Sequence, residues 1–197
     1  METTILPLIG FAIAATITPG PNNVMVTTAA VNHGLRATLP HIVGIAVGFA
    51  VMLLVVCAGL AGVLLQIPLV ASILRYLSLA WLVWLAWQIA SAPPPGSVGA
   101  RPALGFFGAM AFQWVNPKAW MICLGAAGAF MTPGGGIVTQ ALTVALVFLV
   151  VALPCITPWA LLGAAAARLL RDPVRLRAFN IAMAVLLVLS MLPVAFG

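Results

Sequence analysis

Two short stretches of this chain set helix-breaking and polar residues inside long apolar runs: Thr18-Pro19-Gly20-Pro21-Asn22-Asn23 and Gln113-Trp114-Val115-Asn116-Pro117-Lys118. Proline lacks an N–H and glycine is conformationally loose, so regular helical hydrogen bonding stops at both. A helix interrupted in lipid frees N–H groups at the start of its second half and carbonyls at the end of its first, and all of these need partners. Such a break suits a zwitterion. The amide-rich end of a half-helix favours a carboxylate, and the carbonyl-rich end favours an ammonium. Asn22, Asn23 and Asn116 add side-chain donors and acceptors, with Thr18 and Gln113 beside them. The expected substrate-binding set is therefore Thr18, Pro19, Gly20, Pro21, Asn22, Asn23, Gln113, Asn116, Pro117 and Lys118.

Lys118 is the charged residue that falls deep inside an apolar run, and an unpaired lysine at such a depth costs at least ~2.5 kcal/mol. No Asp or Glu falls in any of these runs. Its partner is then an anionic group of a substrate, freed backbone carbonyls, or the loss of its own charge. Snorkelling to water, or a place in a wide aqueous vestibule, is the plainer alternative. The same lack of acids removes the usual carboxylate proton relay, so proton coupling would pass through Lys118, His41, His33 or the cargo. His33 and His41 flank one connection, where ordinary polar interface residues also belong.

The elements that hold these residues follow from composition. Of 197 residues, 64% are hydrophobic and only 5% charged, against about a quarter charged in soluble domains. Such a chain is an all-α integral membrane protein, a single transmembrane domain over 1–197. A span needs roughly 20 apolar residues, and six runs supply them: about 5–31, 40–65, 70–91, 103–131, 137–164 and 178–196. The first run is expected as a permanent span, since Met1-Glu2-Thr3-Thr4 lacks the basic residues of a cleaved leader. The net charge of +6 does not point to nucleic acid, because the basic residues are few and sit in short connections. Cys57, Cys123 and Cys155 all lie in apolar runs, which argues against a disulfide framework.

Connections one, three and five carry Arg36, Arg101, Arg168, Arg171, Arg175 and Arg177, whereas the opposite side carries only Glu2 and Arg75. The positive-inside rule makes the arginine-rich side cytoplasmic and places both termini outside. Aligning Pro19 with Pro117 also superposes the apolar approach and exit of each break and sets Gly10 on Gly108. Repeat one covers about 5–91, a linker 92–102, and repeat two about 103–197. Three spans per repeat invert the second against the first, so the broken first and fourth helices meet near the bilayer midplane.

Other features carry less. Pro154-Cys155-Ile156-Thr157-Pro158 is expected to break the fifth run as a hinge or to kink it. Trp81, Trp84 and Trp87 with Gln88 form a stripe whose helical spacing predicts packing. Gly44, Gly48, Gly59 and Gly62 are expected where helices approach closely.

The chain resembles the LysE/RhtB family of amino-acid exporters along its whole length. The resemblance rests on "TPGPNN", "NHGLR", "YLSLAWLVWLAWQIA" and "QWVNPKAW", and Asn22-Asn23 with "VWLAWQIA" is most similar to the cysteine and O-acetylserine branch. It implies a gradient-driven efflux carrier of the bacterial inner membrane for small amino acids, with the Pro-Gly-Pro-Asn and Asn116-Pro117-Lys118 segments at its functional core. The expected partners are the amino-acid substrate, protons as coupling ion and the lipid bilayer. No cofactor is expected, and the oligomeric state, a homodimer included, stays open.

Other classes compete with this one. A membrane thiol or electron carrier would use Cys57 and Cys155, 98 residues apart like Pro19 and Pro117; cysteine as a small buried hydrophobe is the simpler account. A passive channel would share the broken helices. An enzyme finds no support, because Glu2 and Asp172 are the only acids and no metal-ligand spacing or nucleotide-binding motif is present.

Overall fold

The computed structural model describes residues 2–60, 62, 68–93, 103–132, 134–190 and 192, and every regular element among them is helical. Gln66, Arg101 with the linker 94–102, Pro133, and the end of the sixth run from 193 lie outside the described residues.

Helix α1 (Glu2–Ile17) stops at Thr18-Pro19-Gly20, and α2 (Pro21–His33) restarts with proline in its first turn, where no N–H is missed. The two halves are bent by 52°. Gly34 turns the chain with φ of +83°, which favours glycine, into α3 (Leu35–Val55). α3 ends in a wide π turn, Val56–Leu60, containing Gly59 at φ +145°. α4 (Pro68–Ala90) follows. The fourth run is broken as well: α5 (Phe106–Phe112) tightens into one 3₁₀ turn, Gln113–Val115, and stops at extended Asn116 before α6 (Pro117–Phe130). α7 (Ile137–Ala167) and α8 (Pro173–Leu189) complete the order, α8 capped by Asp172, whose carboxylate accepts from the Val174 N–H at 2.9 Å.

Among the described residues, Leu35–Leu60, Ser72–Ala90 and Ile137–Ala167 are each long and apolar enough to cross a membrane, and the bent α1–α2 pair makes a fourth when counted as one span. Both breaks stand where the sequence put them.

α7 is the central post, packed on α1, α2 and α3, while α3 also packs on α5 and α4 packs on α8. Leu8, Phe49, Met52 and Phe148 join α1, α3 and α7 in one core; Val24, Leu82, Phe112 and Leu187 join α2, α4, α5 and α8 in another.

Three expectations need correction. The Pro154–Pro158 segment does not break the fifth run, since α7 is helical throughout Ile137–Ala167. Contacts from three neighbouring helices hold it, and the Thr157 hydroxyl donates to the Leu153 carbonyl at 2.7 Å inside the proline-flanked turn. The tryptophan stripe is not packed in the core: Trp81, Trp84 and Trp87 are 43%, 45% and 70% exposed, because α4 turns Leu82, Ala86 and Ile89 inward instead. Gly59 and Gly62 have no described atom within 4 Å of where a side chain would go, so close approach to the described helices is not their reason.

Gly44 and Gly48 do serve close approach. A Cβ on Gly44 would strike the Phe106 carbonyl, and one on Gly48 would lie 2.6 Å from the Met110 Cα. Backbone cannot yield as a side-chain tip can. Gly48→Leu should therefore separate α3 from α5, lowering stability by about 1–3 kcal/mol or more as an overpacked core does, read as an earlier thermal transition of the detergent-solubilised protein. A transition equal to wild type would contradict this tight crossing.

Candidate functional site

The two breaks are joined through side chains. Asn22, in the first turn of α2, donates from Nδ2 to Gln113 Oε1 at 2.9 Å, and Gln113 returns a bond from Nε2 to Asn22 Oδ1 at 3.1 Å. Gln113 also donates to the Ala109 carbonyl at 2.9 Å and is fully buried. This reciprocal amide pair ties α2 to the 3₁₀ turn before Asn116. Removing one amide strands the other in a buried place, whereas removing both leaves none stranded. Asn22→Leu and Gln113→Leu should each destabilise by about 1–3 kcal/mol, and the double variant by less than their sum. Thermal denaturation of the four proteins checks this; strict additivity would deny the pair.

The carbonyls freed at the end of α1 are met by other chemistry. Asn23, 2% exposed, donates from Nδ2 to the Thr16 carbonyl at 3.0 Å and the Thr18 carbonyl at 2.8 Å. Trp159 Nε1 of α7 donates to the Ile17 carbonyl at 3.2 Å. Lys118 reaches across from α6, its Nζ donating to the Thr18 carbonyl at 2.9 Å, the Thr18 hydroxyl at 2.8 Å and the Pro19 carbonyl at 3.1 Å. Of the partners open to Lys118 from sequence, the freed carbonyls are the ones in place. Three oxygens around one ammonium form a cation cradle. Gly20 makes room for it: a Cβ there would stand 2.7 Å from Lys118 Cδ.

The amide ends of the half-helices differ. At the start of α6, Asn116 takes the Lys118 N–H on its Oδ1 at 3.1 Å, while its carbonyl takes the N–H groups of Ala119 and Trp120 at 3.0 and 3.2 Å. The start of α2 has Gly20 as its capping residue and no side-chain cap. The anion-attracting end left open is therefore that of α2. Asn23 Oδ1 is buried without a hydrogen-bond partner beside it. Gly20, Asn22, Asn23, Asn116 and Lys118, with Ile45, enclose a cavity of about 30 Å³, room for ordered water and too small for an amino acid.

The structure thus brings together Thr18, Pro19, Gly20, Pro21, Asn22, Asn23, Gln113, Asn116, Pro117 and Lys118, the whole set expected from sequence. His41 stands elsewhere, in the wall of a larger cavity. All three cysteines are free and buried; Cys57 shares a core with Cys123, and Cys155 lies outside that core. Among the described residues no cluster of His, Cys, Asp or Glu could hold a metal ion.

Comparison with known proteins fits this architecture. A profile of the LysE type translocator family matches residues 13–194. The chain belongs to that family. A cysteine/O-acetylserine efflux protein of Escherichia coli is 31% identical over 180 residues, 90% of each chain. Those of Salmonella typhimurium and Klebsiella pneumoniae are 33% and 31% identical over 124 and 132 residues, 62% and 66% of this chain. These matches span 63% and 67% of the relatives' own lengths. No solved structure matches.

Sequence reasoning missed two partners in this translocator. Trp159, which also accepts from the Thr27 hydroxyl at 3.1 Å on its carbonyl, was masked by the expected break at its neighbour Pro158. Asn180 is 1% exposed in α8 and takes a bond from Asn32 Nδ2 at 3.3 Å. An amide inside the sixth apolar run was the signal available for it.

Proposed function

We propose that this translocator is a secondary exporter of small amino acids or their derivatives across the bacterial inner membrane, of the kind its efflux relatives are named for. Six spans form two inverted three-helix repeats with both termini outside, and alternating access is centred on the two breaks. The observation that carries the reading is the Lys118 ammonium held in the Thr18–Pro19 cradle.

That cradle fits any primary ammonium. An arriving amino acid offers its own ammonium to the same three oxygens and to Asn23 Oδ1, displacing Lys118. The released lysine then pairs with the cargo carboxylate, which the open amide end of α2 also attracts. Both charges of the cargo are met without a protein carboxylate, in a span where none exists. Since the closed cavity is too small for cargo, loading must draw the breaks apart, and this couples binding to movement of α2 against α6. Lys118 returns to the cradle when the cargo leaves, so the empty carrier recloses.

Uptake into inside-out vesicles tests this, with labelled cysteine, O-acetylserine, threonine, homoserine, leucine and lysine, each with and without a proton gradient. Saturable, gradient-stimulated uptake of one or two of them is expected. Linear, gradient-independent flux would favour the channel.

A further inference from the structure

A cavity of about 640 Å³ lies away from the breaks. It lies between α2, α3, α4 and α5, with Met25, Leu85, Ile89 and Phe112 among its apolar walls. Its volume is that of a ligand pocket rather than a packing defect. His33, Ser91 and Ala103, beside connections one and three, are among its lining, which sets one end of it toward the arginine-bearing connections.

One wall is polar and unsatisfied. His41 is 1% exposed, and both of its ring nitrogens are buried without a hydrogen-bond partner; so are Thr28 Oγ1 and Asn32 Oδ1. All three residues line the cavity. Thr28 and Asn32 are one turn apart on α2, with His41 on α3. These unpaired atoms have no surface open to the cavity as it stands, so a ligand reaches them by turning the side chains; buried polar atoms without partners are costly, and such a turn would satisfy them.

We propose that this cavity is a second cargo site, an antechamber that receives a small amino acid of zero net charge from the arginine-rich side before it reaches the breaks. This rests on the exporter reading given above. The ligand class follows from the lining. No Asp, Glu, Lys or Arg is among the described lining residues, so a cargo with net charge meets no counter-charge from them. Thr28 and His41 can each donate or accept and Asn32 Oδ1 accepts, which suits an ammonium and a carboxylate on one molecule. The apolar remainder suits a short aliphatic or sulfur-bearing side chain and disfavours that of lysine.

Two adjacencies connect the cavities. Val115 lines the large one and Asn116 the small one, and on α2 Asn22 lines the small one and Met25 the large one. Across this boundary runs the Asn22–Gln113 amide pair, which serves as the gate between antechamber and breaks.

The test is equilibrium binding of labelled cysteine, leucine and lysine to purified full-length protein in nanodiscs, each variant first shown to be monodisperse. Lys118→Met takes away the charge that answers a cargo carboxylate at the breaks but leaves the cradle oxygens in place, so the cavity variants decide which site is filled. It should still bind cysteine or leucine saturably, and lysine far more weakly. In that background, Thr28→Val should weaken binding about tenfold, the loss of one hydrogen bond to a charged group, and Ala111→Phe, which fills the cavity, should remove it. Absence of binding in Lys118→Met, or unchanged binding in both cavity variants, overturns the proposal. So does a phospholipid retained in native mass spectra with no amino-acid binding, which would assign the cavity to an acyl chain. If vesicles show no export while Lys118→Met protein binds with this pattern, the exporter reading fails and the cavity site stands.

Discussion

Lys118→Met should reduce gradient-driven uptake into inside-out vesicles to the level of vesicles without the protein, with membrane insertion and monodispersity retained. Methionine keeps the length and apolar stem of lysine, so the fold loses little packing. It removes the ammonium that occupies the Thr18–Pro19 cradle and the charge that answers the cargo carboxylate. Loss of transport with retained folding separates this role from a snorkelling lysine, whose removal would cost nothing. Wild-type uptake by this variant would sink the assigned role of Lys118.

Asn23→Leu should be the next most damaging change. Asn23 supplies two hydrogen bonds to the carbonyls that end α1, and leucine strands the Thr16 carbonyl while leaving that of Thr18 to Lys118 alone. A stranded buried carbonyl costs about 1–3 kcal/mol, so thermal stability should fall together with transport. Asn23→Asp is the informative companion. A carboxylate there accepts but does not donate, and it places a charge beside the Lys118 ammonium. Both variants should transport poorly, and Asn23→Asp should bind its cargo with altered salt dependence. Normal transport by Asn23→Leu would show that the break is held by other contacts.

Both breaks were legible in the sequence because proline, glycine and asparagine oppose helix locally, whatever surrounds them. The need of Lys118 for a partner was legible as well, since depth and the lack of acids left few choices. Which choice is in place was not, because Thr18 and Lys118 are 100 residues apart and only packing brings them together. The same holds for Asn22 and Gln113, whose separation of 91 residues hides a pair of complementary amides. Pro154 and Pro158 misled because a propensity rule for isolated helices yields to a neighbourhood that supports the helix from three sides. The tryptophan stripe misled for a related reason: α4 carries large apolar residues on more than one face, so spacing alone does not say which face turns inward. His41 looked like an interface residue near a connection, and its place in a cavity wall depends on α2 and α3 folding against each other.

The central claim is a carrier that reorients around one cargo molecule held between the breaks, and counterflow tests it most directly. Proteoliposomes are preloaded with excess unlabelled cysteine and diluted into a trace of labelled cysteine without any ion gradient. The account predicts that label accumulates transiently above equilibrium with wild-type protein and does not with Lys118→Met. Equilibration without an overshoot, from protein shown to be folded and permeable to cysteine, would contradict it and make the broken helices the walls of a channel.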